Sequence, residues 1–275
     1  MIVAAGAVAL LATASSAESL RWHESLAAAK QAAEASGRPI LAEFHSVGCG
    51  PCERMERETL ADPEVAAVIA QRFEAVRVNA LEEPELATEH LVSFYPTVKF
   101  FDAAGDVVHD TQGFVAAADF RRVMDKALAA HAALQRAREA AAEPPEDAQG
   151  ALAIARDFYA ARRYEQAADW ARTAAERASE GSATAAEAQY ILGAALTDAE
   201  EPGRAQEPLV SALKLVDGAG WQWDARLKLG YVWLQRGEDD SGIGMLQTVH
   251  ASEEAPAELK AEARRLLRWW GVEVE

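Results

Sequence analysis

Two patterns of hydrophobic and polar positions divide the chain. Up to about residue 115, short apolar or alternating runs, typical of strands, lie between segments with helical spacing. Beyond Glu143-Pro144-Pro145-Glu146-Asp147, which breaks the pattern, only helical spacing is present. The first part is predicted to form a mixed sheet with helices on both faces, in the order α-β-α-β-α-β-β-α. The second part is predicted to be entirely helical.

Local signals set the bounds of the elements in the first part. Gly37 and Pro39 end the first helix, and Asp62 followed by Pro63 is a typical helix start. The predicted elements are helix 19–36, strand 39–44, helix 49–55, a helix from residue 62, strand 74–79, helix 84–91, strand 97–101, strand 107–108 and helix 116–142.

The helical part repeats itself. Ile154, Leu192 and Leu229 recur 38 and 37 residues apart, and each is followed by a small residue. Small residues at a fixed place let two helices approach closely, and such a pair buries its apolar face only when copies stack. Equivalent positions further along each copy hold Phe158, Leu196 and Trp233, then Ala167, Ala205 and Gly242, and segment 257–270 is predicted to be a capping helix.

The only two cysteines of the chain, Cys49 and Cys52, flank Gly50 and Pro51. A purely structural disulfide is disfavoured because so small a loop restrains little of the unfolded chain. Zinc is disfavoured because it needs four ligands and the six histidines show no paired spacing. A redox-active dithiol is therefore predicted, with no metal. Cys49 falls at a predicted helix start, where unpaired N–H groups stabilise a thiolate, and Cys52 lies one turn deeper.

Four features together resemble thioredoxin across residues 20–142: Phe44, the Cys49-Gly50-Pro51-Cys52 motif, Tyr95-Pro96-Thr97 and Gly113. This segment is most similar to the thioredoxin-like domain of bacterial transmembrane disulfide-interchange reductases and to small exported relatives. The resemblance implies a thioredoxin fold, in the α/β class, and a redox disulfide between the two cysteines.

The resemblance also implies roles for the residues around the cysteines. Pro96 would be a cis-proline, which leaves the backbone of Tyr95 free to pair with an extended substrate, and Thr97 would follow it into a strand. An ordinary trans proline before a strand remains the alternative. Gly50 and Pro51 would complete the substrate-binding surface.

Glu43 lies six residues before Cys49, where thioredoxins carry a buried acid, usually aspartate. A buried carboxyl group can shuttle a proton, here from Cys52, and would count with Pro96 among the catalytic residues. An exposed glutamate at a strand end is the alternative. Gly48 stands where thioredoxins usually place tryptophan. The rim that faces the substrate is therefore predicted to be less apolar.

The helical part resembles tetratricopeptide repeats in its helix pairs and in its small and large positions. The resemblance implies an all-α repeat domain that binds a protein or peptide ligand. Six of the seven tryptophans lie in this half. Most are expected to fill the core, whereas Trp269-Trp270 can instead mark a docking patch.

The net charge and the motifs of the sequence exclude some classes of function. The formal net charge is −17, both halves are acidic and no basic stripe is present, so nucleic acid is not a predicted partner. No flavin or nicotinamide motif is visible. No cofactor is therefore predicted, and the electron donor or acceptor must be another protein. Residues 1–17 resemble a signal peptide, with a retained N-terminal anchor as the alternative, which indicates a periplasmic or secreted protein.

The predicted organisation is a signal peptide at 1–17, a thioredoxin-like domain at 18–142, a linker at 143–150 and helical repeats with a capping helix at 151–275. The predicted function is that of a thiol–disulfide oxidoreductase acting on protein disulfides, with the repeats holding the partner. The competing hypothesis is a protein-binding scaffold or assembly factor in which the thioredoxin-like domain is an adaptor.

Overall fold

The computed structural model describes residues 20–215, 218 and 220–274. The predicted signal peptide at 1–17 lies outside these residues. The chain divides into two compact units, one up to Met124 and one from Asp125.

The first unit contains a five-stranded mixed sheet with strand order β1-β3-β2-β4-β5. Strands β1 and β2 run parallel to β3, whereas β4 is antiparallel to β2 and β5 is antiparallel to β4. The elements are β1 (Trp22–His23), α1 (Leu26–Ser36), β2 (Ile40–His45), α2 (Gly50–Met55), α3 (Pro63–Arg72), β3 (Glu74–Asn79), α4 (Pro84–Glu89), β4 (Thr97–Phe101), β5 (Val107–Gln112) and the start of α5 (Ala117–Ala142), whose residues from Asp125 onward belong to the second unit. This is the predicted α/β thioredoxin fold.

Helices cover both faces of the sheet. On one face, α1 contributes Leu26 to a buried cluster that also contains Phe44 of β2 and Phe101 of β4. On the other face, the ring of Phe100 lies 6.5 Å from that of Phe120, near the start of α5. Consecutive residues of β4 therefore face opposite layers, as the period of a strand requires.

The prediction of a helix over 19–36 is wrong in its first third. The helix begins at Leu26 because the Ser25 hydroxyl oxygen accepts a hydrogen bond from the N–H of Ala28, 3.1 Å away. Trp22–His23 instead pair with β3 as a short edge strand. A strand of two residues is too short to show an alternating pattern, so the sequence carries no signal for it.

Other bounds also differ from the prediction: β2 is shifted by one residue, and β5 extends to Gln112. Helix α4 ends at Glu89 rather than 91, because Leu91 has a φ of 53°, which no helix accommodates. Helix α2 continues beyond Met55 into a π-helical turn, Glu56–Leu60. The hydroxyl group of Thr59 in this turn donates to the carbonyl oxygen of Val115 at 2.6 Å, which fixes the turn against the loop after β5.

The strand registers bring four loops to one edge of the sheet. His45 pairs with Asn79, Phe44 with Thr97, and Thr97 with Gln112. The ends of β2, β3 and β5 and the start of β4 therefore coincide. We call this border the cysteine edge; its loops are 46–49, 80–83, 94–96 and 113–115.

The second unit is all helical within the described residues. Small residues allow its helices to pack closely: a Cβ atom on Gly193 would lie 2.6 Å from Leu209, and one on Gly242 would lie 2.8 Å from the carbonyl oxygen of Gly230. These contacts agree with the predicted repeat of small and large positions. The helices are α6 (Ala148–Ala160), α7 (Tyr164–Arg177), α8 (Ala183–Asp198), α9 (Pro202–Leu215), α10 (Gln222–Gln235), α11 (Asp239–Ala251) and α12 (Ala257–Trp269).

Candidate functional site

The two cysteines form a disulfide at the start of α2, with sulfur atoms 2.06 Å apart. Cys49 is the N-cap residue, and its sulfur accepts a hydrogen bond from the N–H of Cys52 at 3.2 Å. Cys49 is partly exposed and Cys52 is buried, while Gly50 and Pro51 between them are exposed. A partner can therefore reach Cys49, whereas Cys52 is shielded. A thiolate at Cys49 would face the unpaired N–H groups of the first helical turn.

The Tyr95–Pro96 peptide bond is cis and lies at the cysteine edge. The loop around it is fixed on both sides: the N–H of Gly113 donates to the carbonyl oxygen of Pro96 at 2.7 Å, and the buried Thr97 hydroxyl donates to the carbonyl oxygen of Phe94 at 2.8 Å. No hydrogen bond within the described residues engages the N–H or C=O of Tyr95. The backbone of Tyr95 is thus available to an extended chain.

Glu43 has no exposed surface, so the alternative of an exposed strand-end glutamate is wrong. Its Oε2 accepts a hydrogen bond from the Nε of Arg77, 2.7 Å away on the neighbouring strand β3. Its Oε1 is buried and has no hydrogen-bond partner among the described residues. One carboxylate oxygen is therefore tied to a cation, and the other is left as an unused acceptor inside the unit.

Arg77 also reaches the turn that follows the cysteines. Its Nη1 lies 2.8 Å from Oε1 of Glu56. This hydrogen bond and the guanidinium charge hold the pKa of Glu56 below its usual value. Burial alone would lower the pKa of Arg77, but the hydrogen bond to Glu56 and the charge of Glu43 raise it. Arg77 thus joins the buried acid to the cysteine-bearing helix.

Sequence reasoning missed Arg77 and Glu56. One signal for Arg77 exists: a charged residue inside an otherwise apolar strand needs a counter-charge nearby when that strand is buried. Glu43 is such a residue on the adjacent predicted strand. The strand register that places Arg77 opposite Glu43 cannot be deduced from the two segments alone.

The loops of the cysteine edge carry exposed apolar side chains. Val47, Leu81 and Phe94 stand on three loops of the cysteine edge, and their exposed fractions are 74%, 65% and 66%. Gly48 lies on the first of these loops and carries no side chain. The expectation of a rim less apolar than that of thioredoxins stays a prediction.

A separate polar cluster lies in the helical unit. Asp198 accepts hydrogen bonds from the hydroxyl group of Tyr159 at 2.7 Å and from the Nζ of Lys228 at 2.6 Å. Asp224 accepts from the hydroxyl group of Tyr190 at 2.9 Å. Burial raises the pKa of Asp224 and those of both tyrosines. These contacts join α6, α8 and α10.

Membrane spans and metal clusters are both absent from the part of the chain that the structure describes. No helix there is long and apolar enough to cross a bilayer. No group of three or more histidine, cysteine, aspartate or glutamate side chains among these residues is arranged to hold a metal ion.

Comparisons with known proteins agree with the geometry of the first unit. Residues 21–103 match a family model described as thioredoxin-like. A thiol:disulfide interchange protein, DsbD of Vibrio vulnificus, is 34% identical over 103 residues, which are 35% of this chain and 16% of that protein. A thioredoxin-like protein of Synechocystis is 29% identical over 83 residues, which are 30% of this chain and 75% of that protein.

Among solved structures, a thioredoxin from Thermus thermophilus is 32% identical and superimposes with a TM-score of 0.35, covering 38% of this chain and 83% of that one. The chain spans about one sixth of the length of the interchange protein, and the residues that the family model matches lie within the first unit. Residues 21–103 therefore form a thioredoxin-like domain of the thiol–disulfide oxidoreductase type, with Cys49 and Cys52 as its disulfide pair.

Proposed function

We propose that this protein exchanges disulfides with other proteins through Cys49 and Cys52. The observation that carries the proposal is the contrast between the two sulfurs. Cys49 is reachable and its sulfur accepts an N–H hydrogen bond at the helix start, whereas Cys52 is 4% exposed. An accessible thiolate attacks first, and a shielded thiol completes the exchange.

In the first step, the Cys49 thiolate attacks one sulfur of a partner disulfide. A Cys49–partner disulfide forms, and the partner's other sulfur leaves as a thiolate. The free N–H and C=O of Tyr95 support this step, because an extended substrate can pair with them beside the sulfurs. Gly50 and Pro51 are exposed and form the adjacent surface.

In the second step, Cys52 loses its proton and attacks the sulfur of Cys49. The disulfide between Cys49 and the partner breaks, and the partner leaves with two thiolates, which take up protons from solvent. The partner has gained the two electrons that Cys49 and Cys52 lose when their disulfide forms again. We assign the proton acceptor as Glu43, whose Oε1 is buried and unpartnered among the described residues. A protein donor must then reduce Cys49–Cys52 for another cycle.

The proposal extends to location and partner choice. We place the protein in the periplasm or outside the cell, where a dithiol acts on exported proteins. The helical unit would hold the partner and so raise the concentration of its disulfide near Cys49. The matching family model covers residues 21–103 only. This role of the helical unit therefore rests on the resemblance of its sequence to peptide-binding repeats.

A Cys52→Ser variant tests the proposal. Since the second step is blocked, we expect covalent complexes with partner proteins that dithiothreitol dissolves, visible on non-reducing gels. The matched control is the double variant Cys49→Ser/Cys52→Ser, which should form none. If the double variant captures the same partners non-covalently and Cys52→Ser adds no covalent species, the scaffold hypothesis replaces the enzyme.

A further inference from the structure

The cysteine edge carries an unusual concentration of exposed apolar surface. The described residues contain six exposed large apolar side chains, and Val47, Leu81 and Phe94 are three of them. They stand on loops that the strand register brings to the same border as Cys49. Exposed apolar side chains are ordinary when scattered, but several at one functional border mark a surface that another molecule covers.

An unpaired acidic segment adjoins these apolar residues. Glu82, Glu83 and Glu85 follow Leu81 closely, and all three are exposed. None lies within ion-pair distance of a lysine or arginine among the described residues, and no basic residue occurs between Arg77 and Lys99 apart from His90. Glu82 accepts one hydrogen bond, from the neutral side chain of Asn79. No ion pair among the described residues therefore neutralises these three carboxylates.

We propose that this acidic–apolar rim, comprising Val47, Leu81, Phe94, Glu82, Glu83 and Glu85, selects extended protein segments in which apolar and basic residues flank the disulfide cysteine. The inference rests on the proposed function and names its substrate class. Apolar side chains of the segment cover Phe94 and Leu81, and its lysines or arginines face the three carboxylates.

The free backbone of Tyr95 supports an extended occupant rather than a folded surface. Phe94 immediately precedes Tyr95, so a strand paired there would place alternate side chains over Phe94. A second copy of this chain fits poorly, because each copy carries a formal charge of −17 and the same unpaired carboxylates. Charge complementarity thus favours a cationic segment.

The test uses the reduced full-length chain and three peptides that each carry one cysteine as a mixed disulfide with thionitrobenzoate. The first has leucine, phenylalanine and lysine flanks, the second replaces lysine by glutamate, and the third replaces the apolar residues by serine. Release of the coloured thiolate reports the attack of Cys49. We expect the first peptide to react about tenfold faster than either other, since one apolar contact or one steered charge changes rates by about that factor.

Variants assign the effect to the rim. Phe94→Ser should slow the two apolar peptides more than the serine peptide. Glu82→Gln/Glu83→Gln/Glu85→Gln should remove the preference for lysine over glutamate. The controls are Trp269→Ser, another exposed aromatic residue, and Glu253→Gln/Glu254→Gln, another exposed acidic pair; both should retain the preferences.

Equal rates for the three peptides, or preferences that survive the rim substitutions, would overturn the inference. So would a dimer that dissociates in Phe94→Ser, because the rim would then serve self-association. Reaction with free dithionitrobenzoate separates the two proposals. If the chain attacks this small disulfide but does not discriminate among the peptides, the proposed function stands and the proposed role of the rim is refuted. If the chain attacks neither, both proposals are refuted.

Discussion

At the scale of single residues, Arg77 provides the counter-charge for the buried acid Glu43. Glu43 is fully buried, and the Arg77 guanidinium is its one charged partner among the described residues. We expect Arg77→Met to lower the free energy of unfolding by about 3 kcal/mol, the lower end of the range for breaking a buried pair, because Arg77 is 26% exposed. Denaturant unfolding measures this loss.

The control for this prediction adds Glu43→Gln to the Arg77→Met variant. Neutral glutamine needs no counter-charge, so the double variant should recover part of the lost stability. An equal or larger loss in the double variant would show that the aliphatic packing of Arg77, rather than its charge, is what the unit requires.

Asp224 gives the helical unit a pH dependence. Because burial raises its pKa, the folded chain retains this proton at pH values where the unfolded chain has lost it. Stability therefore falls as pH rises from about 4, the ordinary carboxyl value, through the folded pKa. Asp224→Asn keeps an acceptor for Tyr190 and removes the charge, so its stability should fall less between about pH 4 and pH 7.

Urea unfolding at several pH values measures this difference. The matched control is Asp169→Asn, whose side chain is 75% exposed and pairs with Arg172 on the surface. Identical slopes of stability against pH in wild type and Asp224→Asn would contradict the assignment. The charge of Lys228 lowers the pKa of Asp224 and so opposes the effect of burial. The Lys228→Met variant should therefore show a steeper fall of stability with rising pH.

At the scale of elements, small residues decide how closely the helices of the second unit pack. A Cβ atom on Gly193 in α8 would lie 2.6 Å from the side chain and 3.0 Å from the backbone nitrogen of Leu209. Gly193→Ala should therefore cost about 1–3 kcal/mol, as overpacking does in a filled core. The backbone of α9 cannot move aside without shifting the whole helix.

The chain offers a matched control in Gly244 of α11, where an added Cβ atom would meet nothing within 4 Å. Gly244→Ala should raise stability by about 0.5–1 kcal/mol, because alanine favours the helix and meets no neighbour. Thermal and urea unfolding of the two variants would show opposite signs. Equal effects would mean that helix propensity alone, and not the approach of α8 to α9, governs these positions.

The elements show which parts of the fold can be predicted from sequence. Strands β3 and β4 have their predicted bounds, since six and five residues of apolar or alternating pattern carry a clear period. Strand β1 and the π-helical turn could not be predicted, because neither has a period of its own. The cysteines were found by spacing, whereas Arg77 and the rim depend on strand register, which is a property of the folded sheet.

At the scale of the whole molecule, the division between the two units falls within helix α5. The helix runs unbroken from Ala117 to Ala142, yet the division into compact units falls between Met124 and Asp125. The linker predicted at 143–150 already contains the start of α6, whose N-cap Asp147 accepts a hydrogen bond from the N–H of Gly150 at 2.8 Å. One domain boundary therefore follows residue 124, and the other lies at 143–150. The two boundaries place the second half of α5 in different domains.

Contacts within the second unit favour the earlier boundary. Arg136 in the second half of α5 pairs with Asp157 of α6 at 2.6 Å, and Leu134 beside it is 1% exposed. We expect a fragment of residues 125–275 to melt at a higher temperature than one of residues 143–275.

Circular dichroism of the two fragments during heating tests this prediction, because both are helical and their unfolding is directly comparable. Arg136→Gln in the longer fragment is the control: Arg136 is 59% exposed, so loss of its ion pair should lower the melting temperature only slightly. If the two fragments melt together, the second half of α5 adds nothing to the helical unit. The boundary then lies at 143–150, and α5 belongs entirely with the thioredoxin-like domain.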